Sequence, residues 1–267
     1  VELQSRVEEL RRQGLGVAVI TYDPPEVLAD FARRRGITFP MLSDKGSATI
    51  KAYGLLNTTV APGNPTYGIP FPGSFMLDRQ GRVTARFFEQ AYQERTTVST
   101  VLLKGGLGLE RVATTAQTAH LGLRSWAGDD TLAPGRHVSL VVDVTPATGM
   151  HVYAPGATSY RVVALVVDET PGVRVLETGY PASETYFFAP LNERVPVYQK
   201  PFRLTREVYV EASPEAAAAL GTRTSLTLSG RLEYQACDDK ICYNPTSVPL
   251  SWTLAIGALD RERVGGR

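Results

Sequence analysis

The chain has little of what usually carries catalysis or cross-linking: its 267 residues include two cysteines, three histidines, three methionines and two tryptophans. No apolar run approaches the roughly 18 residues of a membrane span, and the start carries no charged-then-apolar secretion signal. Charge of one sign is missing as well. Twenty-eight Lys+Arg stand against 27 Asp+Glu, for a net charge of +1. The two halves are separately balanced, so neither offers the basic surplus that nucleic acid binding requires, and no nucleic acid partner is expected. The chain opens on Val1 rather than Met, so a processed protein or a fragment is expected, with any targeting signal upstream.

What is present is length, glycine, proline and two contrasting periodicities. At roughly 100–200 residues per domain the length favours two domains, each able to bury a core without staples. From Val1 to about Gly106 helical and strand patterns alternate. Val1, Leu3, Val7 and Leu10 fall at helical spacing. Gly16–Tyr22 is a nearly continuous apolar run, which predicts a strand buried on both faces. Asp23-Pro24-Pro25-Glu26 supplies a helix start, and Arg33-Arg34-Arg35-Gly36 supplies its basic, glycine-capped end. A short strand near Phe39–Leu42 and helices near Ser47–Tyr53 and Thr96–Leu103 follow the same logic. Ser74–Leu77 and Arg82–Phe88 flank Asp78-Arg79-Gln80-Gly81, the signature of an antiparallel hairpin.

Residues 107–118, glycine-rich and then small and polar, read as a linker. Beyond it period two dominates, in Val138–Val144, Leu226–Tyr234 and Val248–Ile256, with further strands expected near Tyr160–Val167 and Leu204–Val210. Ala216–Ala219 is expected to be at most a helical turn. The second region, 119–260, therefore predicts an all-β sandwich.

Both cysteines fall in Tyr234-Gln-Ala-Cys237-Asp-Asp-Lys-Ile-Cys242-Tyr-Asn-Pro245, between two of the clearest strands. A hairpin tip brings such positions about 4.5–5.5 Å apart at Cα, within disulfide range. Closing so short a loop removes only about 2 kcal/mol of unfolded-state entropy, against nearly 5 for a loop of about 100 residues. A structural staple would be better placed elsewhere. Asp238 and Asp239 disfavour a thiolate at Cys237, whereas Lys240 favours one at Cys242. That makes Cys242 the expected attacking thiolate and Cys237 the resolving partner. Pattern alone leaves open a redox-active pair, a passive disulfide and a metal site, although His120, His137 and His151 offer no second ligand pair for zinc.

The hairpin motif, with Val248-Pro-Leu250 after it and Gly149-Met-His151-Val-Tyr153-Ala-Pro155-Gly156 upstream, resembles the amino-terminal periplasmic domain of the DsbD thiol:disulfide interchange family. The resemblance spans roughly Ala119–Ile256. It implies an immunoglobulin-like sandwich whose cysteine pair passes reducing equivalents between a transmembrane partner and periplasmic oxidoreductases, including those serving cytochrome c maturation. It also implies that the second cysteine, by position Cys242, attacks. A shielding cap loop is expected within Tyr186–Glu193, with Phe187, Phe188 or Leu191 against the disulfide or simply in the core. Tyr234 and Tyr243 are expected as supporting residues, and His151 and Tyr153 as packing or cap supports.

Residues 1–106 resemble the thioredoxin-like redoxins of the AhpC/TSA class, through Gly16–Asp23, Phe39–Asp44 and Ile69-Pro-Phe-Pro72-Gly-Ser-Phe-Met-Leu-Asp78. The resemblance implies a cis peptide at Pro72. The family's first strand and cysteine-bearing turn have no counterpart here, and residues 1–106 hold no cysteine. The missing part is expected upstream.

The combined expectation is α/β plus all-β: a truncated thioredoxin-like domain followed by an immunoglobulin-like β-sandwich. The function expected is extracytoplasmic, periplasmic thiol–disulfide exchange without cofactor or metal. Partners would be thioredoxin-like proteins, including the chain's own first domain or a membrane thiol carrier, with no membrane span in this chain. The alternatives are a peroxiredoxin whose peroxidatic cysteine lies in the missing segment, and a non-catalytic immunoglobulin-like binding module with a structural disulfide.

Overall fold

A computed structural model describes residues 2–64, 67–88, 95–109, 111–188 and 192–257. The chain is mostly β-strand with few helices and divides into two compact units, Val1–Leu107 and Gly108–Arg267.

The first unit contains α1 (Glu2–Ser5), α2 (Val7–Arg12), β1 (Val19–Thr21), α3 (Pro25–Arg35), β2 (Met41–Ser43), α4 (Ala48–Ala52), β3 (Gly73–Leu77), β4 (Val83–Phe88), β5 (Arg95–Thr96) and α5 (Val98–Lys104). Its buried apolar residues include Val7, Leu10, Leu28, Phe39, Ile50, Leu102 and Leu103. Helix α3 starts on Pro24 and Pro25, whose fixed φ suits a first turn, and ends on Gly36 at φ 61°, where a Cβ would be strained. The three arginines at its end are surface residues, and Arg33 and Arg34 pair with Asp30. The β3/β4 hairpin forms as expected: Asp78 Oδ1 accepts from the Gln80 and Arg82 amides at 2.9 Å each.

Two expectations for this unit fail. β1 pairs in parallel with β2, yet Ile20 and Leu42 are 46% and 51% exposed, so the strand is not buried on both faces. The reason is that β1 and β2 make a two-stranded sheet, separate from β3/β4, and among the described residues nothing covers their outer face. The peptide before Pro72 is trans, because the described residues include no cis bond. Trans is the lower-energy isomer by about 0.5–1 kcal/mol, and this unit holds no cysteine for a cis turn to face.

The second unit contains β6 (Thr114–Gln117), β7 (Leu121–Ala127), β8 (Thr131–Leu132), β9 (Arg136–Pro146), β10 (His151–Tyr153), β11 (Ala164–Val167), β12 (Val173–Gly179), β13 (Glu184–Phe188), β14 (Glu193–Tyr198), β15 (Phe202–Val210), α6 (Pro214–Leu220), β16 (Ser225–Tyr234), β17 (Ala236–Cys237) and β18 (Thr246–Ile256). One sheet runs β12-β15-β9-β7-β6 and another β11-β16-β18-β8. Inward residues of both, among them Leu123, Leu140, Val142, Leu204, Leu228, Leu232, Trp252 and Leu254, form one core. The period-two pattern supplies that core directly. Along β16 and β18, Leu226 faces Leu254, Leu228 faces Trp252 and Leu232 faces Val248. A smaller sheet, β13-β14-β10-β17, stands beside them and carries the cysteine hairpin.

Two local expectations change here. Ala216–Ala219 belongs to a seven-residue helix, α6, because Ser213 caps it by accepting from the Ala216 amide and Ala216 and Leu220 are both buried. Part of the expected linker is ordered, since Thr114–Gln117 pairs antiparallel with residues 122–125 of β7 as edge strand β6. Leu232 is fully buried in the main core. Its replacement by Ala is expected to lower the second unit's unfolding free energy by about 2–5 kcal/mol, measured by urea denaturation.

Candidate active site

Alternation decides which side chains meet at the cysteines. In the small sheet, Val152 and Ala236 pair and point into the main core, so their neighbours His151, Tyr153 and Cys237 point to the other face. That face holds a separate small cluster of Tyr153, Val195, Val197 and Cys237, with Ala157, Tyr160 and Tyr186 packed against it.

Cys237 and Cys242 are disulfide-bonded, with Cα atoms 4.1 Å apart, and form an isolated antiparallel bridge at the hairpin tip. The two sulfurs sit in different surroundings. Cys237 is 1% exposed, whereas Cys242 lies on the surface beside Ile241, itself 55% exposed. The turn between them is built by Asp238. Its Oδ1 accepts from the Lys240 and Ile241 amides at 2.7 Å each, and its Oδ2 accepts from the Tyr243 hydroxyl at 3.2 Å. Those amide donors hold the Asp238 carboxyl below its ordinary range. Asp239 and Lys240 are exposed on the same tip.

The Tyr153 hydroxyl lies 3.1 Å from Cys237 Sγ and 3.3 Å from Cys242 Sγ. Disulfide sulfurs carry no hydrogen, so the phenol is the donor. Burial, followed by the neighbouring Tyr160, pushes the Tyr153 pKa well above its ordinary value, and the phenol keeps its proton. His151 is directly opposite Cys237, 2% exposed, and packs on Tyr153 and Tyr186 with ring centroids 5.6 and 4.5 Å away. Burial pushes its pKa down, which keeps it neutral, against a smaller opposing pull from Asp238.

The expected site residues thus separate. Cys237, Cys242, Tyr153, His151 and Asp238 come together. Tyr243 supports the turn from beneath, with His120 packed on its ring at 4.4 Å. Tyr234 does not join them: it is three residues before Cys237, points the opposite way, lies in the main core and bonds Thr118 Oγ1 at 3.0 Å. The expected cap segment begins as a strand, β13, paired with β14. Phe187 is 46% exposed under the Arg194 guanidinium, so it is neither core nor against the disulfide. Phe188 points as Tyr186 does and their rings stack at 6.5 Å. Leu191 lies outside the described residues. Pro72 belongs to the first unit. Sequence reasoning missed Tyr160, and it placed Tyr186 and Glu193 only as the ends of the expected cap segment. The available signal was parity along Glu184–Phe188, which puts Tyr186 rather than Phe187 on the site face.

Residues 1–86 match the AhpC/TSA family, and residues 127–250 match the family described as thiol:disulfide interchange protein DsbD, N-terminal. Two Mycobacterium tuberculosis proteins that bear the name peroxiredoxin are 29% identical over 82 residues, which is 31% of this chain and 52% of each of them. The chain thus spans about half the length of the curated relatives it matches. Among solved structures, the N-terminal periplasmic domain of ScsB from Proteus mirabilis overlays with a TM-score of 0.38 at 16% identity, covering 52% of this chain and 49% of that one. The reduced DsbD N-terminal domain of Neisseria meningitidis gives 0.29 at 15% identity, covering 44% and 81%.

The lowered Asp238 carboxyl sets a pH dependence. In the unfolded chain the group titrates near its ordinary 3.8, and in the folded hairpin it titrates lower. Its contribution is therefore complete above the unfolded value and is lost as pH falls through the folded one. The Lys240 and Ile241 amide resonances are expected to shift together below pH 3.8 in an NMR acid titration. Asp238→Ala is expected to abolish that transition.

Proposed function

We propose that this chain is an extracytoplasmic thiol–disulfide exchange protein that passes reducing equivalents between thioredoxin-like partners through Cys237 and Cys242. The observation that carries the reading is the asymmetry of the bonded pair, with one sulfur at the surface and the other sealed beneath a phenol that touches both. Exchange needs one sulfur that a partner can reach, and a second that is protected until the first has reacted.

The bonded form accepts electrons. A donor thiolate attacks Cys242 Sγ in line with the S–S bond, and a mixed disulfide forms between donor and Cys242. The S–S electron pair passes to Cys237, which leaves as a thiolate while Tyr153 donates a hydrogen bond to it. The donor's second thiolate then attacks its own bonded sulfur, releasing the Cys242 thiolate and an oxidised donor. In the outward direction the Cys242 thiolate attacks a partner disulfide, and Cys237 resolves the mixed disulfide and restores the intramolecular bond. The periplasm suits a protein that holds this pair oxidised between turnovers. No helix among the described residues is long and apolar enough to cross a membrane.

The first unit, on this reading, is part of a thioredoxin-like domain, and in a longer protein such a domain is itself a candidate donor to the second unit. Residues 1–107 hold no cysteine and by themselves cannot supply the electrons.

Cys237→Ser is expected to accumulate mixed disulfides with thioredoxin-like partners, detected on non-reducing gels, because Cys242 remains reachable and nothing resolves the adduct. Cys242→Ser is expected to accumulate none. A redox titration is expected to place the pair above about −300 mV, and a much lower potential with no trapped adduct would mark an inert structural bond.

A further inference from the structure

Tyr160 packs face to face on Tyr153 and is itself anchored from a different strand. Its ring lies 4.0 Å from that of Tyr153 at an interplanar angle of 10°. Its hydroxyl donates to Glu193 Oε2 at 2.8 Å. The backbone delivers Tyr160 there by a reversal just after β10. Gly156 turns at φ 101°, the Ala157 amide bonds the Ala154 carbonyl, and the Val163 amide returns to the Tyr153 carbonyl at 2.9 Å. The next residue is tied down as well: the Arg161 amide donates to Gln235 Oε1 at 3.1 Å, and Arg161 pairs with Glu233. Gln235 lies two residues before Cys237. The loop is therefore fastened on one side to the end of β16 and the residue that leads into β17, and on the other, through Glu193, to the first residue of β14.

Tyr153 has few other means of holding its hydroxyl in place. Its hydroxyl meets the two sulfurs, weak acceptors that fix a phenol poorly, and interacts with the Tyr160 hydroxyl. His151 meets the Tyr153 ring edge-on and restrains it from one side, leaving the flat face to Tyr160.

We propose that Tyr160, anchored by Glu193, is a positioning residue that holds the Tyr153 phenol against both sulfurs, so that the Cys237 thiolate is met by a hydrogen bond as it leaves. The inference rests on the exchange chemistry above. Tyr160 touches neither sulfur and acts through Tyr153 alone. When a thiolate attacks Cys242 Sγ, the bond to Cys237 breaks and its electron pair goes to Cys237 Sγ. Tyr153 keeps its proton and shares it with the new thiolate. A hydrogen bond to a charged group is worth about 1.5–3 kcal/mol, or roughly ten- to a hundredfold in rate if it is fully made in the transition state.

The test measures reduction of the disulfide by dithiothreitol at pH 7 in the full chain, for Tyr153→Phe, Tyr160→Leu and the double variant. Dithiothreitol attacks whichever sulfur is open without needing a protein partner. A failure to exchange with thioredoxin-like proteins would overturn the proposed function and leave this readout intact. Tyr153→Phe is expected to slow reduction about tenfold. Tyr160→Leu is expected to slow it several-fold, and the double variant to be no slower than Tyr153→Phe alone. In a Cys242→Ser background, both single variants are expected to raise the pKa of the Cys237 thiol, read from the pH dependence of alkylation. Loss of packing alone would lower thermal stability without moving that pKa. The proposal is overturned if Tyr160→Leu leaves the rate unchanged, or if it slows reduction equally with and without Tyr153. Should Tyr160→Leu fail to fold, Glu193→Gln and Tyr160→Phe carry the same test. Each is expected to slow reduction only where Tyr153 is present, and equal rates to the parent would overturn the proposal.

Discussion

The pairing of His151 with Cys237 across β10 and β17 is the constraint on which the site depends. It puts His151 and Tyr153 on the same face as the buried sulfur, and it leaves Val152 and Ala236 to seal the main core behind them. A slip of one residue would turn the phenol into the core and the valine toward the disulfide. The two cores are thus back to back through a single layer of backbone. The large sandwich fixes the register, and the small cluster spends that rigidity on holding one hydroxyl close to two sulfurs.

The disulfide also lies outside the sandwich core. The main core draws on both large sheets and contains no cysteine. The hairpin tip is held independently, by Asp238 accepting from two backbone amides and by the Tyr243 amide bonding the Ala236 carbonyl. With the turn built by these contacts, the S–S bond can open and close while its two ends stay in place. Asp238 therefore has more than the role its charge implied. Its carboxylate is engaged in shaping the turn, and exposure separates the two cysteines more sharply than local charge does.

Much of this was legible in the sequence. Strict alternation in Leu226–Tyr234 and Val248–Ile256 fixed two paired strands, and four residues between two cysteines fixed a tip. The same alternation held information that motif reading passed over, since it sends Tyr234 inward and puts Tyr186 rather than Phe187 on the site face. Tyr160 and Glu193 were not legible, because they reach the site through a backbone reversal and a hairpin whose geometry no local periodicity records. In the first unit, an apolar run such as Gly16–Tyr22 reads as a doubly buried strand, but burial depends on neighbours elsewhere in the chain. Ile20 and Leu42 show how far such a run can remain exposed.

The central claim is that the two sulfurs are unequal, with Cys242 the point of attack. Partial reduction of the unmodified chain with glutathione, followed by acid quenching and peptide mass spectrometry, reads this directly. The account predicts that the glutathione adduct is found on Cys242, with Cys237 as the free thiol. Glutathione on Cys237, or shared equally between the two, would contradict it.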